Sequence, residues 1–269
     1  MYRILCLNQI SPRGLAYLPP AQFSVAEKWD HPHAILLRSA DLHHVPIPET
    51  VLAVARAGAG TNNIPVEALS ARGIPVFNAP GANANAVKEL VLAAMLMSAR
   101  NLVPALAYVQ SLDRQAPDFL QRIEAGKKQF AGIELPGHTL GIVGLGAIGS
   151  LVADMALKLG MQVIGFDPDI TVEAAWRLPA SVTKASSLDV LLRQADFITL
   201  HVPLLEATRG LINASRLNLM KPQAHLLNFS REGIVDTNAV LAALRCLSTN
   251  LSRDLTQLSL IPQAESVQD

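Results

Sequence analysis

Cysteine is scarce. Cys6 and Cys246 are the only two in 269 residues, and neither has a metal-ligand neighbour. The chain therefore offers neither a disulfide framework nor a cysteine-based metal site, and a reducing compartment suits it. No run of ~18 or more apolar residues occurs, so no bilayer-spanning helix is expected. The opening Met1-Tyr-Arg-Ile-Leu-Cys-Leu is too short an apolar run to read as a signal peptide. An excess of charge of either sign is also missing, since 22 Lys and Arg face 22 Asp and Glu. No broad electrostatic pull toward nucleic acid or an acidic membrane is expected. Internal repeats and low-complexity tracts are absent as well. These absences describe a soluble, cytoplasmic protein with no metal site. With 50% hydrophobic residues, the chain has enough apolar content for one or two well-buried domains.

One stretch organises the rest: Thr139-Leu-Gly-Ile-Val-Gly-Leu-Gly-Ala-Ile-Gly149. Residues 139–143 read as a buried strand. Gly144, Gly146 and Gly149 follow in the spacing G-x-G-x-x-G. A helix is expected over 150–160, ending at Gly160, and a second strand over 162–166 ends in Asp167. That is strand, glycine turn, helix, strand and acid in about the ~30 residues of a βαβ unit. Gly144 suits the tight turn, Gly146 lets a pyrophosphate approach the backbone, and Gly149 lets helix pack on strand. The helix start offers free N–H groups and a positive dipole end to phosphate. Asp167, eighteen residues past Gly149, stands near the ~20 expected for an acid that binds the ribose hydroxyls. A carboxylate there repels a 2′-phosphate, which favours NAD over NADP. The competing reading is a glycine-rich connection with no ligand. A lone G-x-G-x-x-G is weak evidence, but its flanking elements make it strong.

Around this unit, strands and helices alternate, which predicts α/β architecture with parallel sheets. Upstream strands are expected at 3–7, 34–37, 54–57 and 74–77. Short helices are expected after Ser11, at 47–52, and at 65–72 before Gly73. Asn78-Ala-Pro-Gly-Ala-Asn-Ala-Asn is turn chemistry and a candidate hinge. A long helix over 87–102 is apolar on more than one face, as a core or interface helix would be. The polar stretch 110–128 leads on to the glycine unit. Downstream, helices are expected at 172–177, at 187–194 from a Ser187 cap, at 213–220 opened by Asn213, and at 237–244 capped by Asp236. Strands are expected at 181–183, 196–201 and 224–229. Five strands are counted in this half, where a doubly wound dinucleotide fold usually has six. From Arg245 the chain turns rich in Ser, Thr, Gln and Leu without clear periodicity. The predicted organisation is 1–80, 81–244 and a tail of 245–269. Each of the first two is a doubly wound parallel-sheet domain. The second is a Rossmann-type domain incomplete at its C-terminus. An exposed apolar edge at Leu226-Leu227 and an irregular tail are expected to follow.

Several motifs occur in a fixed order: Leu37-Arg-Ser39, Arg56-Ala-Gly-Ala-Gly60 with Asn63-Ile64, Asn78-Ala-Pro80, the glycine loop, Asp167, His201-Val-Pro203, and Asn228-Phe-Ser-Arg231 with Gly233-Ile-Val-Asp236. Together they resemble the D-isomer-specific 2-hydroxyacid dehydrogenases, most closely the branch that oxidises 3-phosphoglycerate in serine synthesis. The resemblance runs to about residue 244. It implies a substrate domain, here without its returning C-terminal helix, and an NAD domain, with hydride transfer between NAD and a small anionic 2-hydroxy acid. It implies a homodimer, which the apolar 87–102 helix also suggests.

The resemblance makes Arg231 the catalytic arginine, whose planar fork can grip a carboxylate. From placement alone, Arg231 reads equally as a surface arginine at a strand end. Arg38, Ser39, Gly58 and Ala59 fall at substrate-contact positions, beyond strand ends where ligands of open parallel sheets gather. Ala147, Ile148, Val202, Pro203, Phe229 and Ser230 fall at cofactor positions beside Gly144, Gly146, Gly149, Asp167 and Arg231. Val202 and Phe229 read equally as core residues.

The sequence also departs from the family. Its catalytic glutamate and histidine lie beyond the matching region, and Glu265 in the tail is not assigned that role. The seven histidines, His31, His33, His43, His44, His138, His201 and His225, do not occupy the catalytic position. Glu232 stands where the family favours small residues. Impaired turnover is therefore expected. The runner-up readings are a non-catalytic NAD-binding or interaction protein, as in the family's corepressor branch, and a dehydrogenase for another acid such as glycerate or glyoxylate.

Overall fold

The structure, a computed structural model, describes residues 1–249. Packing divides the described chain between Asn83 and Ala84 into two units.

The first unit runs β1 (Tyr2–Leu7), α1 (Pro12–Leu15), β2 (Phe23–Ala26), β3 (Ala34–Leu37), β4 (Ala53–Arg56), α2 (Val66–Ala71) and β5 (Val76–Asn78). Its five strands are all parallel, in the order β2-β1-β3-β4-β5. Leu5 faces Ile35 across the ladder, and Ile35 faces Val54. Ile35, Leu37, Val54, Ile64 and Leu69 form a buried cluster, each at 3% exposure or less. Two local expectations are corrected here. The helix expected at 47–52 is an irregular turn in which the Val51 N–H bonds to the Pro48 carbonyl. Pro48 lacks an N–H and disfavours helical geometry at Ile47. β2 went unpredicted because it is an edge strand, half-buried along its whole length, with no continuous apolar run.

The second unit opens with α3 (Ala84–Ala99), α4 (Leu102–Ser111) and α5 (Phe119–Gly126). It continues β6 (Thr139–Val143), α6 (Ala147–Lys158), β7 (Gln162–Phe166), α7 (Val172–Trp176), β8 (Thr183–Lys184), α8 (Leu188–Gln194), β9 (Phe197–Leu200), α9 (Ala214–Leu217), β10 (His225–Asn228) and α10 (Thr237–Thr249). The strand order is β10-β9-β6-β7-β8, again all parallel. Two parallel five-stranded sheets with flanking helices thus make up the fold. Helix starts follow their caps. Ser187 Oγ accepts from the Val190 N–H, Asn213 Oδ1 from the Arg216 N–H, and Asp236 Oδ1 from the Ala239 N–H.

Both faces of the second sheet are covered, as an all-parallel sheet requires. Leu140, Ile142, Val163, Phe197 and Leu227 pack with α3 and α6 on one face. Ile164, Ile198, Leu200 and Leu226 pack with α8 and α10 on the other. The expected exposed edge at Leu226-Leu227 is therefore corrected. Both side chains are fully buried, one on each face, because the flanking helices cover β10 even though no further strand pairs with it among the described residues. The long helix expected over 87–102 is α3, which starts three residues earlier and stops at Ala99. Asn101 takes a left-handed conformation, φ 51°, and splits α3 from α4 with a 62° bend. The polar stretch 110–128 contains α5. No single described helix is long and apolar enough to cross a membrane. The irregular tail expected from 245 lies almost wholly outside the described residues, but α10 continues through Thr249.

Candidate functional site

The glycine loop of the second unit is held by sterics at two of the three glycines that its motif names. Gly144 has φ +91°, and a Cβ there would lie 2.6 Å from the His201 carbonyl oxygen. A Cβ on Gly149 would lie 2.0 Å from the Gly144 carbonyl oxygen, so the first turn of α6 rests directly on the loop backbone. Gly146 is different. It is exposed, caps α6, and a Cβ there would meet nothing within 4 Å. Its lack of a side chain serves no internal packing and leaves the loop's outer surface open to a ligand. Ala147 is exposed and Ile148 half-buried at the start of α6, where helix N–H groups lack intrahelical acceptors.

The loop is tied sideways to β7. The Gly144 N–H donates to the Phe166 carbonyl at 2.9 Å. The Leu145 N–H donates to Asp167 Oδ2 at 2.8 Å, and the Asp169 N–H to Asp167 Oδ1 at 3.1 Å. On its other side the loop meets the end of β9, because the Cβ site of Gly144 is 2.9 Å from Val202 Cγ1. Ser230 Oγ donates to the Leu200 carbonyl at 2.5 Å, which joins the end of β10 to the end of β9. Asn228 shapes the next turn: its Oδ1 accepts from the Ser230 N–H at 3.1 Å, and its Nδ2 donates to the Arg231 carbonyl at 3.0 Å. Arg231 is half-buried, and its guanidinium donates to the Ser230 carbonyl at 3.3 Å.

The second unit thus gathers Gly144, Gly146, Ala147, Ile148, Gly149, Asp167, Val202, Pro203, Ser230 and Arg231 at the carboxyl ends of four adjacent strands. These strands flank the point where the order reverses between β6 and β9, the position at which open α/β sheets bind ligands. Phe229 also falls there, but its side chain is buried in one cluster with Leu227 and Val91, which leaves its backbone for a ligand. His201 lies at the same rim. Thr199 Oγ1 and His201 Nε2 are 3.0 Å apart, and the buried His201 Nδ1 has no hydrogen-bond partner. Burial pushes the His201 pKa down from 6.5 to about 4, so the ring is neutral at physiological pH.

In the first unit, Arg38, Ser39, Gly58 and Ala59 cluster at the ends of β3 and β4. The Ser39 and Ala40 N–H groups donate to Asn8 Oδ1 at 3.0 and 2.6 Å, fixing the turn after β3. Asn78 Nδ2 donates to the Ala59 carbonyl at 2.6 Å, and the Ala79 N–H to the Gly58 carbonyl at 2.9 Å. Arg56, to which sequence reasoning gave no role, joins the two loops. Its Nε donates to the Arg38 carbonyl at 2.8 Å, and its guanidinium also bonds to the Gly60 carbonyl. Asn63 adds bonds from Nδ2 to the Arg38 and Ala40 carbonyls. Arg56, Asn63 and Asn78 sit inside motifs that the sequence displayed. Their longer-range bonding partners, 18 to 25 residues away, were not visible there.

Comparison with known proteins places the chain in one family. The family model "D-isomer specific 2-hydroxyacid dehydrogenase, NAD binding domain" matches residues 92–249. D-3-phosphoglycerate dehydrogenase of Methanocaldococcus jannaschii is 42% identical over 197 residues, covering 73% of this chain and 35% of that protein. Glyoxylate reductase of Thermococcus litoralis is 39% identical over 194 residues, covering 71% of this chain and 56% of that protein. Among solved structures, the TT0316 protein from Thermus thermophilus superposes with a TM-score of 0.73 at 28% identity, covering 90% of this chain and 78% of that one. The chain spans about a third of the length of the first curated relatives that it matches. It belongs to the D-isomer specific 2-hydroxyacid dehydrogenases, of which residues 92–249 are the NAD-binding domain. Its cofactor is NAD, and the residues present fit that group. The open face of Gly146 leaves room for a pyrophosphate, and the Asp167 carboxylate has acceptor sites left for a ribose diol.

Proposed function

We propose that this chain takes part in NAD-dependent oxidation of a small anionic 2-hydroxy acid, with 3-phosphoglycerate the first substrate to test. The observation that carries this reading is the convergence of the glycine loop, Asp167, Val202 and Ser230–Arg231 at one rim of the second sheet. NAD, when bound, supplies the acceptor for the hydride leaving C2 of the acid. The chain's own residues have separate tasks. Gly144, Gly146 and the start of α6 receive the phosphates, and Asp167 accepts from the ribose hydroxyls. Arg231 would hold the substrate carboxylate, its backbone set by Asn228 and Ser230. Arg38, Ser39, Gly58 and Ala59, at the strand ends of the first unit, are the proposed substrate contacts of that unit.

We read turnover by this chain as slow. His201, the histidine at the nucleotide rim among the described residues, is bonded to Thr199 and kept neutral by a pKa near 4. It is a poor proton acceptor beside one with a pKa near the working pH. A second copy of the chain is the proposed partner. α4 carries exposed Leu102, Val103 and Leu106, and Leu106 is 62% exposed. Such a row suits an interface.

The test is NADH formation by the purified protein with 3-phosphoglycerate and with D-glycerate, and NADH consumption with hydroxypyruvate and glyoxylate. Calorimetric titration of NAD accompanies it. Tight NAD binding with slow turnover on one acid supports the reading. Absence of nucleotide binding overturns it.

A further inference from the structure

Asp167 is the acid proposed for the ribose, yet its carboxylate is also engaged with protein. Oδ2 accepts the Leu145 N–H at 2.8 Å, and Oδ1 accepts the Asp169 N–H at 3.1 Å. Leu145 is the middle residue of Gly144-Leu-Gly146, so the bond reaches from the end of β7 into the phosphate loop itself. It lies next to a backbone bond of the same direction, Gly144 N–H to the Phe166 carbonyl. The Leu145 side chain is buried, and it sits where a Cβ on Gly165 would be 2.8 Å from its Cδ1. Side chain and N–H of Leu145 are thus both anchored on β7. Gly146, immediately after, is the N-cap of α6.

We propose that Asp167 is a positioning residue for the phosphate loop, in addition to its contact with ribose. An ionised carboxylate has about four acceptor sites, and two are used here. Two remain for a ribose diol, so the latch and the ribose contact coexist. Removing the carboxylate leaves the part-buried Leu145 N–H without its acceptor, and the loop that presents Gly146 to phosphate loses its tie to β7. This rests on the cofactor reading of the glycine loop, but not on the ribose contact.

The experiment uses a probe that has no ribose. Inorganic pyrophosphate is titrated into the protein and into two variants, Asp167→Asn and Asp167→Ala. Charge alone predicts that both variants bind this anion more tightly, because a nearby negative charge is gone. The latch predicts opposite signs. Asp167→Asn keeps one acceptor oxygen for Leu145 and binds as well as or better than the starting protein. Asp167→Ala binds roughly tenfold more weakly. Tighter binding by Asp167→Ala overturns the proposal. Amide hydrogen exchange at Leu145 gives a second reading that needs no variant to fold. The latch requires this amide to be protected without nucleotide, and fast exchange in the starting protein overturns it. The ribose contact is read separately by the NAD-to-NADP affinity ratio. Equal affinities there with a protected Leu145 would remove the ribose role and leave the latch.

Discussion

His225 is expected to make the nucleotide unit lose stability as pH falls below about 6.5. The ring lies at 5% exposure, stacked on Phe197 with centroids 4.4 Å apart and planes 10° apart. Its Nδ1 has no partner. Burial, with some help from His138, pushes its pKa down from 6.5 to about 4, and Asp196 opposes this weakly. The unfolded chain therefore binds more protons than the folded one between about pH 6.5 and pH 4. Stability contributed by the neutral ring is complete above that window and falls as pH falls through it. Two and a half pKa units correspond to about 3 kcal/mol in the limit, of which about 2 kcal/mol is already lost at pH 5. For a unit of this size, that lowers the melting temperature by about 4–8 °C. Asp196 does not confound the reading. Burial pushes its pKa up, but Lys221 and the Thr139 N–H outweigh this and hold it below the usual carboxylate value, so its contribution is lost only below the ordinary carboxylate range. The assay is thermal unfolding at pH 7.5 and pH 5 for the protein and for His225→Phe, which keeps an aromatic ring against Phe197. His201 titrates in the same direction, so the variant should lose about half of the pH 5 penalty. An undiminished penalty in His225→Phe would refute the argument, as would equal melting temperatures at the two pH values in the starting protein.

Three further outcomes are expected. Gly146→Ala should melt like the starting protein but bind NAD at least fivefold more weakly, whereas Gly149→Ala, whose Cβ would strike the Gly144 carbonyl oxygen, should fail to give a cooperatively folded nucleotide unit by calorimetry. NAD should bind more tightly than NADP, and Asp167→Asn should narrow the gap when both are titrated by calorimetry, because the charge opposing a 2′-phosphate is removed. Arg231→Ala should leave the melting temperature within about 2 °C, yet weaken binding of oxalate to the NADH complex by roughly tenfold or more, since a charge-assisted bidentate contact is lost.

The glycine unit was legible in the sequence because its constraints are local. Three glycines at fixed spacing, one apolar strand on each side and an acid at the end specify a βαβ turn with little reference to the rest of the chain. The caps at Ser187, Asn213 and Asp236 were legible for the same reason, as each bonds within three residues. Edge strand β2 was not, because half-buried positions give no apolar run. The break at Asn101 was not either, since one left-handed residue hardly disturbs a hydrophobic pattern. At the site, residue types were readable and their ties were not. That Ser230 reaches the Leu200 carbonyl, 30 residues away, and that Asp167 holds Leu145, 22 away, depends on which strands become neighbours.

Two glycines inside the second sheet have a consequence for how this sequence can change. A Cβ on Gly165 would press on Leu145 Cδ1 at 2.8 Å, and one on Gly141 would meet Leu191 Cδ2 at 2.5 Å. Gly165 therefore forms a mated pair with Leu145, since protein interiors have little slack to absorb an added methyl group. Gly141 is held from two sides, because a Cβ there would also lie 2.9 Å from Ala195 Cβ. Alanine at 165 requires Leu145 to shift, and a smaller residue at 145 leaves a void while the glycine remains. Drift at 165 and 145 is thus coupled, whereas a smaller residue at 191 alone does not free position 141.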